Sequence, residues 1–388
     1  MDPSHLYREG TAPQQKRRAS LRSTTPARVH PSRAIGQAHV IGASCGFPSF
    51  SKSLAMLRPL LRPTTKSAAI FPPVRVMSSS YGTLSNYLVT PAELNAALQK
   101  NLHSKLSTAP RVIPLCGTWF LPNDPQKRTG WQEFKSCRIP KARFFDLDAV
   151  KDHDSPYPHM LPSAQEFAKA LGQLGIRQDD SVVVYDSKEA GIFSAPRVAW
   201  TLKVFGHSNV HILNNFKLWV EQGYPTEWGE PEKVEEVVYP VPELDKSKVV
   251  DFEYVKSIAK KQVDQSSPAI QILDARSKGR WEGKDPEPRP GLSSGHIPSS
   301  SSLPVPELLD PTNKTLLPAD ELKVLLASKG IDPSKPVISS CGTGVTAAVI
   351  DAALAEAGFP EKTRQLYDGS WTEWAQRATE EEGLIVKV

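Results

Sequence analysis

A chain of 388 residues is long enough for two domains of ordinary size and an extension. It is 39% hydrophobic and 23% charged, with no apolar run near the length that crosses a bilayer, so no membrane partner is expected. The net charge of +5 is confined to one end: residues 1–76 hold 12 Lys and Arg against two acids, and the rest holds 35 basic and 40 acidic residues, which argues against direct nucleic-acid binding.

In chain order, residues 1–80 come first as an Arg- and Ser-rich, acid-poor extension. That composition reads as a mitochondrial targeting segment, most clearly from Met56 to Arg75. Met56 and Met77 offer internal starts, the second giving a cytoplasmic form without the segment. The alternative is a disordered extension carrying no address. Predicted helices begin at Pro91, run from Ser163 to Leu174 and from Ala319 to Ser328, and follow Cys341, where Val345, Val349, Ala353, Leu354 and Ala357 recur at helical spacing before Gly358. Predicted buried strands are Val112–Leu115, Val182–Tyr185, Ile270–Leu273 and Val337–Ser340.

These elements repeat. Gly175 stands 11 residues before Asp186 and Gly330 stands 11 before Cys341, and a tryptophan follows 33 residues later in each case, Trp219 and Trp374. Arg138-Ile139-Pro140 likewise matches His296-Ile297-Pro298. Strands alternating with helices predict α/β architecture: two similar domains, each a parallel sheet flanked by helices. Their expected bounds are 84–230 and 246–388, joined by a Glu/Val/Pro-rich linker at 231–245.

Four cysteines, Cys45, Cys116, Cys137 and Cys341, are too few and too scattered for a disulfide framework, and none has zinc spacing. Cys341 differs from the others in its context. It ends an apolar strand and opens the run Cys341-Gly342-Thr343-Gly344-Val345-Thr346 before a helix. Ligands bind at that end of open α/β sheets. Two glycines let successive N–H groups converge with the helix N-terminus into a nest that favours an anion, as a nucleophile carrying a persulfide requires. Two other readings are an inert buried cysteine and a phosphatase. The second is disfavoured because Ala347 stands six residues on, where a phosphatase places arginine.

The same run, continued to Ala347, resembles the active loop of the 3-mercaptopyruvate and thiosulfate sulfurtransferases, a tandem-domain branch of the rhodanese superfamily, and most closely its fungal members. Similar stretches include Arg138-Ile139-Pro140, Ser155 to Pro162, Gly191 to Arg197, Asp274-Ala275-Arg276, Glu287-Pro288-Arg289-Pro290-Gly291 and Tyr367 to Trp371. The resemblance implies sulfur transfer through a Cys341 persulfide, without metal or organic cofactor. The acceptor would be thioredoxin or another thiol, cyanide, or a sulfur-carrier protein, and some fungal members feed tRNA thiolation. It places Arg280 and Arg289 on the donor's carboxylate and carbonyl, and Gly342, Gly344, Val345 and Thr346 around the sulfur. It also implies a proton relay of Asp148, His159 and Thr343, with threonine where the family has serine; plain interdomain hydrogen bonding is the alternative for the first two.

Thiosulfate-preferring relatives carry Arg and Lys directly after the cysteine, whereas Gly342 and Thr343 stand here, which favours 3-mercaptopyruvate as donor. Thiosulfate is the competing donor, and a non-catalytic sulfur-delivery module is the competing class. Departures from the family pattern fall in the first half: Asp186 in place of the nucleophile, Cys116 where relatives show Asp, and Asn214-Asn215-Phe216 where they show Asp-Gly-Gly. The first half is therefore expected to be a non-catalytic partner that closes the cleft, with Cys116 and Cys137 as packing residues.

Overall fold

The computed structural model describes residues 84–101, 107–262 and 268–388. The expected targeting segment, Met56, Met77 and Cys45 lie outside them.

Two five-stranded sheets are built on one plan. The first contains β1 (Leu88–Val89), β2 (Val112–Cys116), β3 (Arg143–Phe144), β4 (Ser181–Tyr185) and β5 (Val210–Leu213), in the spatial order β1-β5-β4-β2-β3. The second contains β6 (Val249–Val250), β7 (Gln271–Asp274), β8 (Ser300–Ser302), β9 (Val337–Ser340) and β10 (Arg364–Tyr367), in the order β6-β10-β9-β7-β8. Every strand pair is parallel. A parallel sheet needs cover on both faces, and the central strands are buried along nearly their whole length.

Helices supply the cover: α1 (Pro91–Gln99), α2 (Gly130–Ser136), α3 (Ala164–Gln173), α4 (Ala195–Val204) and α5 (Phe216–Glu221) in the first half, α6 (Phe252–Gln262), α7 (Lys278–Glu282), α8 (Ala319–Ser328), α9 (Ala347–Glu356) and α10 (Ser370–Arg377) in the second. Three starts are fixed by reciprocal capping bonds, Thr90 with Glu93, Thr129 with Gln132 and Ser163 with Glu166. Gly175 and Gly330 both take positive φ where helices α3 and α8 turn toward the next strand.

The halves meet through α4 and α9, the helices that follow the central strands. Nine of the ten residues of α4 and eight of the ten of α9 are buried, as a helix enclosed on all sides must be. Ile192, Trp200 and Val204 of the first half pack into the core of the second, while Val345 and Ala352 pack into the core of the first. The small residues Ala347, Ala348, Ala352 and Ala353 let the backbones approach.

Three expectations shift. Strand β7 begins at Gln271 rather than Ile270, because the amide of the Gln262 side chain takes both backbone groups of Ile270. Helix α9 begins at Ala347, leaving Val345 in the loop, and ends before Gly358 at φ +86. The expected linker has no helix or strand from 231 to 245, yet it is strapped down: Val237 N–H donates to the Gly172 carbonyl and Tyr239 is buried against Phe167.

Candidate active site

Strand β9 is the middle strand of its sheet, and Cys341 follows its last residue, 1% exposed. The start of α10 pins the loop from below. Cys341 N–H donates to Ser370 Oγ at 3.1 Å, and the carbonyls of Cys341 and Gly342 accept from the N–H groups of Trp371 and Thr372, each at 2.9 Å. Among the described residues, the backbone N–H groups of Gly342 to Thr346 find no protein acceptor. A curl of unspent donors, buried at Thr343, Gly344 and Val345, suits an anion. Gly344 makes the curl possible: its φ is +76, and a Cβ there would stand 2.7 Å from the Asp368 carbonyl.

The first half shows what fills such a curl. Asp186 stands one residue past β4, where Cys341 stands past β9. Its carboxylate Oδ2 accepts from the N–H groups of Phe193, Ser194 and Ala195 at 2.8, 3.0 and 2.9 Å, and Oδ1 accepts from Ser194 Oγ at 2.5 Å. Burial nonetheless pushes its carboxyl up to about 6. The nest of this half is occupied by the chain itself. The common spacing of 33 conceals this difference, since α4 starts nine residues after Asp186 and α9 six after Cys341.

Cys341 opens onto a cavity of about 180 Å³. Trp119, Leu121 and Phe193 wall it from the first half, and Arg276, Arg280 and Arg289 from the second. Of the site residues named from the sequence, Cys341, Gly342, Thr343, Val345, Thr346, Arg280 and Arg289 line it, whereas Gly344, Asp148 and His159 stand behind that lining. Gly342 and Thr343 lie beside the sulfur, Val345 and Thr346 complete the lining, and Gly344 shapes the turn.

His159 Nδ1 lies 3.1 Å from Thr343 Oγ1, and its Nε2 lies 3.1 Å from Asp148 Oδ1. The three form one hydrogen-bonded line across the two halves. Trp119 extends it, donating from Nε1 to Asp148 Oδ2 at 3.0 Å and meeting the His159 ring edge-on. The bond from His159 holds the Asp148 carboxyl below its usual range. Burial presses His159 below the ordinary histidine value, with the Asp148 bond working the other way. Neutral imidazole is thus the resting form, able to accept a proton from one side while the carboxylate holds the other.

Unfolded histidine takes a proton near pH 6.5, whereas folded His159 resists it, so acidification below about 6.5 favours unfolding, and the folded imidazole loses its neutral form only at still lower pH. Above that range His159 contributes no pH dependence. The acid limb of kcat is expected to lie below pH 6.5, and His159→Gln to remove it with a loss of about 10²- to 10⁴-fold in kcat. A pH–rate profile checks both; an unchanged acid limb in the variant would exclude His159 as its source.

The two expected arginines are placed differently. Arg280 is tied to Glu287, its Nε donating to Oε1 at 3.1 Å and its Nη2 to Oε2, while Nη2 also stands over Gly342. Arg289 is half-buried and, among the described residues, forms no hydrogen bond or ion pair. Burial works most strongly against its charge, and Arg280 adds to this, while Cys341 favours it.

Sequence reasoning passed over the residues that hold the frame. Arg197, 1% exposed, pairs with Asp368 at 2.6 Å and donates to the His159 carbonyl at 2.6 Å and the Gly344 carbonyl at 3.4 Å. It thereby fixes His159 at φ +61. Arg197 and Glu287 both lay within recognised runs; a long-range ion pair has no local pattern that would single them out. Among the described residues no three His, Cys, Asp or Glu side chains gather as a metal-binding group.

A family described as the rhodanese-like domain matches residues 255–377, the stretch that holds the Cys341 loop. The probable 3-mercaptopyruvate sulfurtransferase of Schizosaccharomyces pombe is 42% identical over 71% of this chain and 91% of its own. The chain belongs to the rhodanese superfamily of sulfurtransferases. The thiosulfate sulfurtransferase TUM1 of Saccharomyces cerevisiae is 41% identical over 69% of this chain and 90% of its own. The solved sulfur transferase subunit of yeast mitochondrial complex I superposes with a TM-score of 0.68 at 40% identity, covering 78% of this chain and 99% of that one. The present sulfurtransferase shares their tandem arrangement, with a cysteine at the end of the central strand in the second half and an aspartate there in the first.

Proposed function

We propose that this sulfurtransferase takes sulfur from 3-mercaptopyruvate through a persulfide on Cys341. The observation that carries the reading is Arg289, a guanidinium in the cavity wall that makes no hydrogen bond or ion pair among the described residues, beside a loop that bears no cationic side chain. A donor with a single carboxylate remote from its sulfur suits that layout. The relatives named for 3-mercaptopyruvate support it as well.

In the first step the Cys341 thiolate attacks the donor's thiol sulfur. The S–S bond forms as the C–S bond breaks, and its electron pair leaves as the enolate of pyruvate. The donor's thiol proton passes through the Thr343 hydroxyl to neutral His159, held by Asp148, and returns to the enolate carbon, which leaves the persulfide as an anion. The persulfide anion rests in the curl of N–H groups at Gly342 to Thr346. In the second step an acceptor thiolate attacks the outer sulfur and Cys341 leaves as thiolate. Thioredoxin, another thiol, cyanide or a sulfur-carrier protein would fit that role, supply of sulfur for tRNA thiolation included.

Arg289→Gln is expected to lower kcat/KM for 3-mercaptopyruvate by about 30- to 10³-fold, the 2–4 kcal/mol typical of losing one partner of a half-buried charged pair. Thiosulfate use should fall less. Parallel kinetics with both donors decide; equal losses would remove the donor assignment.

We place the mature enzyme in mitochondria, with a second cytoplasmic form begun at Met77. The basic extension supports the first, and a solved relative is a mitochondrial subunit. N-terminal sequencing of each cellular fraction tests both.

A further inference from the structure

We infer that Glu287 is the residue that sets donor selectivity, by fixing the cavity's charge at that of a monoanion. The inference rests on the donor reading above. Three arginines line the cavity, but their charges are not equally free. Arg276 is buried and spends itself on Asp274, with Nη2 at 2.6 Å, and on Glu287, with Nη1 at 2.7 Å. Arg280 is gripped by both oxygens of Glu287, whose side chain is 3% exposed. Two carboxylates thus offset two guanidiniums, and Arg289 alone carries net charge to the donor.

The consequence is a wall of net +1 around the Cys341 sulfur, the thiolate itself not counted. 3-Mercaptopyruvate presents one carboxylate; thiosulfate presents two negative charges on a compact ion. The second charge of thiosulfate would meet no uncompensated cation in a cavity of low dielectric, where such a mismatch is costly. Glu287 touches no reacting atom. It is a positioning residue that acts through Arg280 and through the charge count.

The test compares the full chain with Glu287→Gln and Glu287→Asp, measuring kcat/KM for both donors with cyanide as acceptor, and inhibition by sulfate and by acetate. Glu287→Gln frees one positive charge at nearly constant shape. The ratio of thiosulfate to 3-mercaptopyruvate use is expected to rise about tenfold or more, and sulfate to inhibit more tightly relative to acetate. Glu287→Asp keeps the charge and should hold the ratio near that of the unaltered enzyme, even where rates fall. Proportional losses with both donors and no tightening of sulfate would overturn the inference and leave Glu287 a structural residue.

If Glu287→Gln does not fold, Arg280→Gln reads the same charge count from the cavity rim, and should move the ratio the opposite way; an unchanged ratio there would equally overturn it. Failure of the donor reading has a separate signature. The unaltered enzyme would then turn over thiosulfate and not 3-mercaptopyruvate, while the sulfate-to-acetate comparison would still report on Glu287.

Discussion

Cys341→Ser is expected to abolish sulfur transfer from either donor, with kcat falling on the order of 10⁴-fold or more, as when a covalent nucleophile is removed. A hydroxyl in that place cannot accept sulfur and pass it on. The variant should fold normally, because serine is smaller than cysteine and Ser370 still receives the backbone N–H of residue 341. Intact-mass measurement after donor treatment gives the matching readout: one added sulfur atom on the unaltered chain, none on the variant. Cys116 and Cys137 provide the control. Cys116 is buried, with its thiol pushed up to about 12 by that burial, and it should gain no sulfur. Pyruvate formation by Cys341→Ser at an undiminished rate would refute the mechanism outright.

The largest structural effect is expected from Arg197→Met. Removing this guanidinium leaves Asp368, 3% exposed, without its cation, and loss of one partner from a buried pair costs about 3–5 kcal/mol. It also releases the carbonyls of His159 and Gly344, so the hydrogen-bonded line and the loop lose a shared anchor. Urea denaturation should show the loss in midpoint, and residual activity should fall further than the unfolded fraction explains. Arg197→Met combined with Asp368→Asn should recover part of the stability, since no charge is then left buried. A loss below about 1 kcal/mol in the single variant would show that water or a rearrangement had replaced the pair.

Much of this molecule could be read before its fold was seen, for reasons that differ from one residue to the next. The two sheets were legible because parallel strands are continuous apolar runs and the chain states its pattern twice. Cys341 was legible because a strand end, a thiol and two glycines are neighbours in sequence. Whether Arg280 and Arg289 are equivalent was not, since only three dimensions reveal that Glu287 engages one and spares the other. Arg197 was hidden for the same reason: its partner Asp368 is far along the chain, and a fully buried arginine looks in sequence like any surface arginine. The start of β7 moved because a single side-chain amide, Gln262, competes with the ladder.

Asp186 gives one half of the protein a carboxyl group that is covalently its own and bonded to three backbone N–H groups. The other half has the matching donors and no such group. A persulfide on Cys341 would supply it, so the sulfur in transit would serve as a temporary structural member, finishing the second half in the way a side chain permanently finishes the first. Delivery of the cargo would then undo that hydrogen bonding, and an acceptor would have to take sulfur from a protein that is better satisfied while holding it.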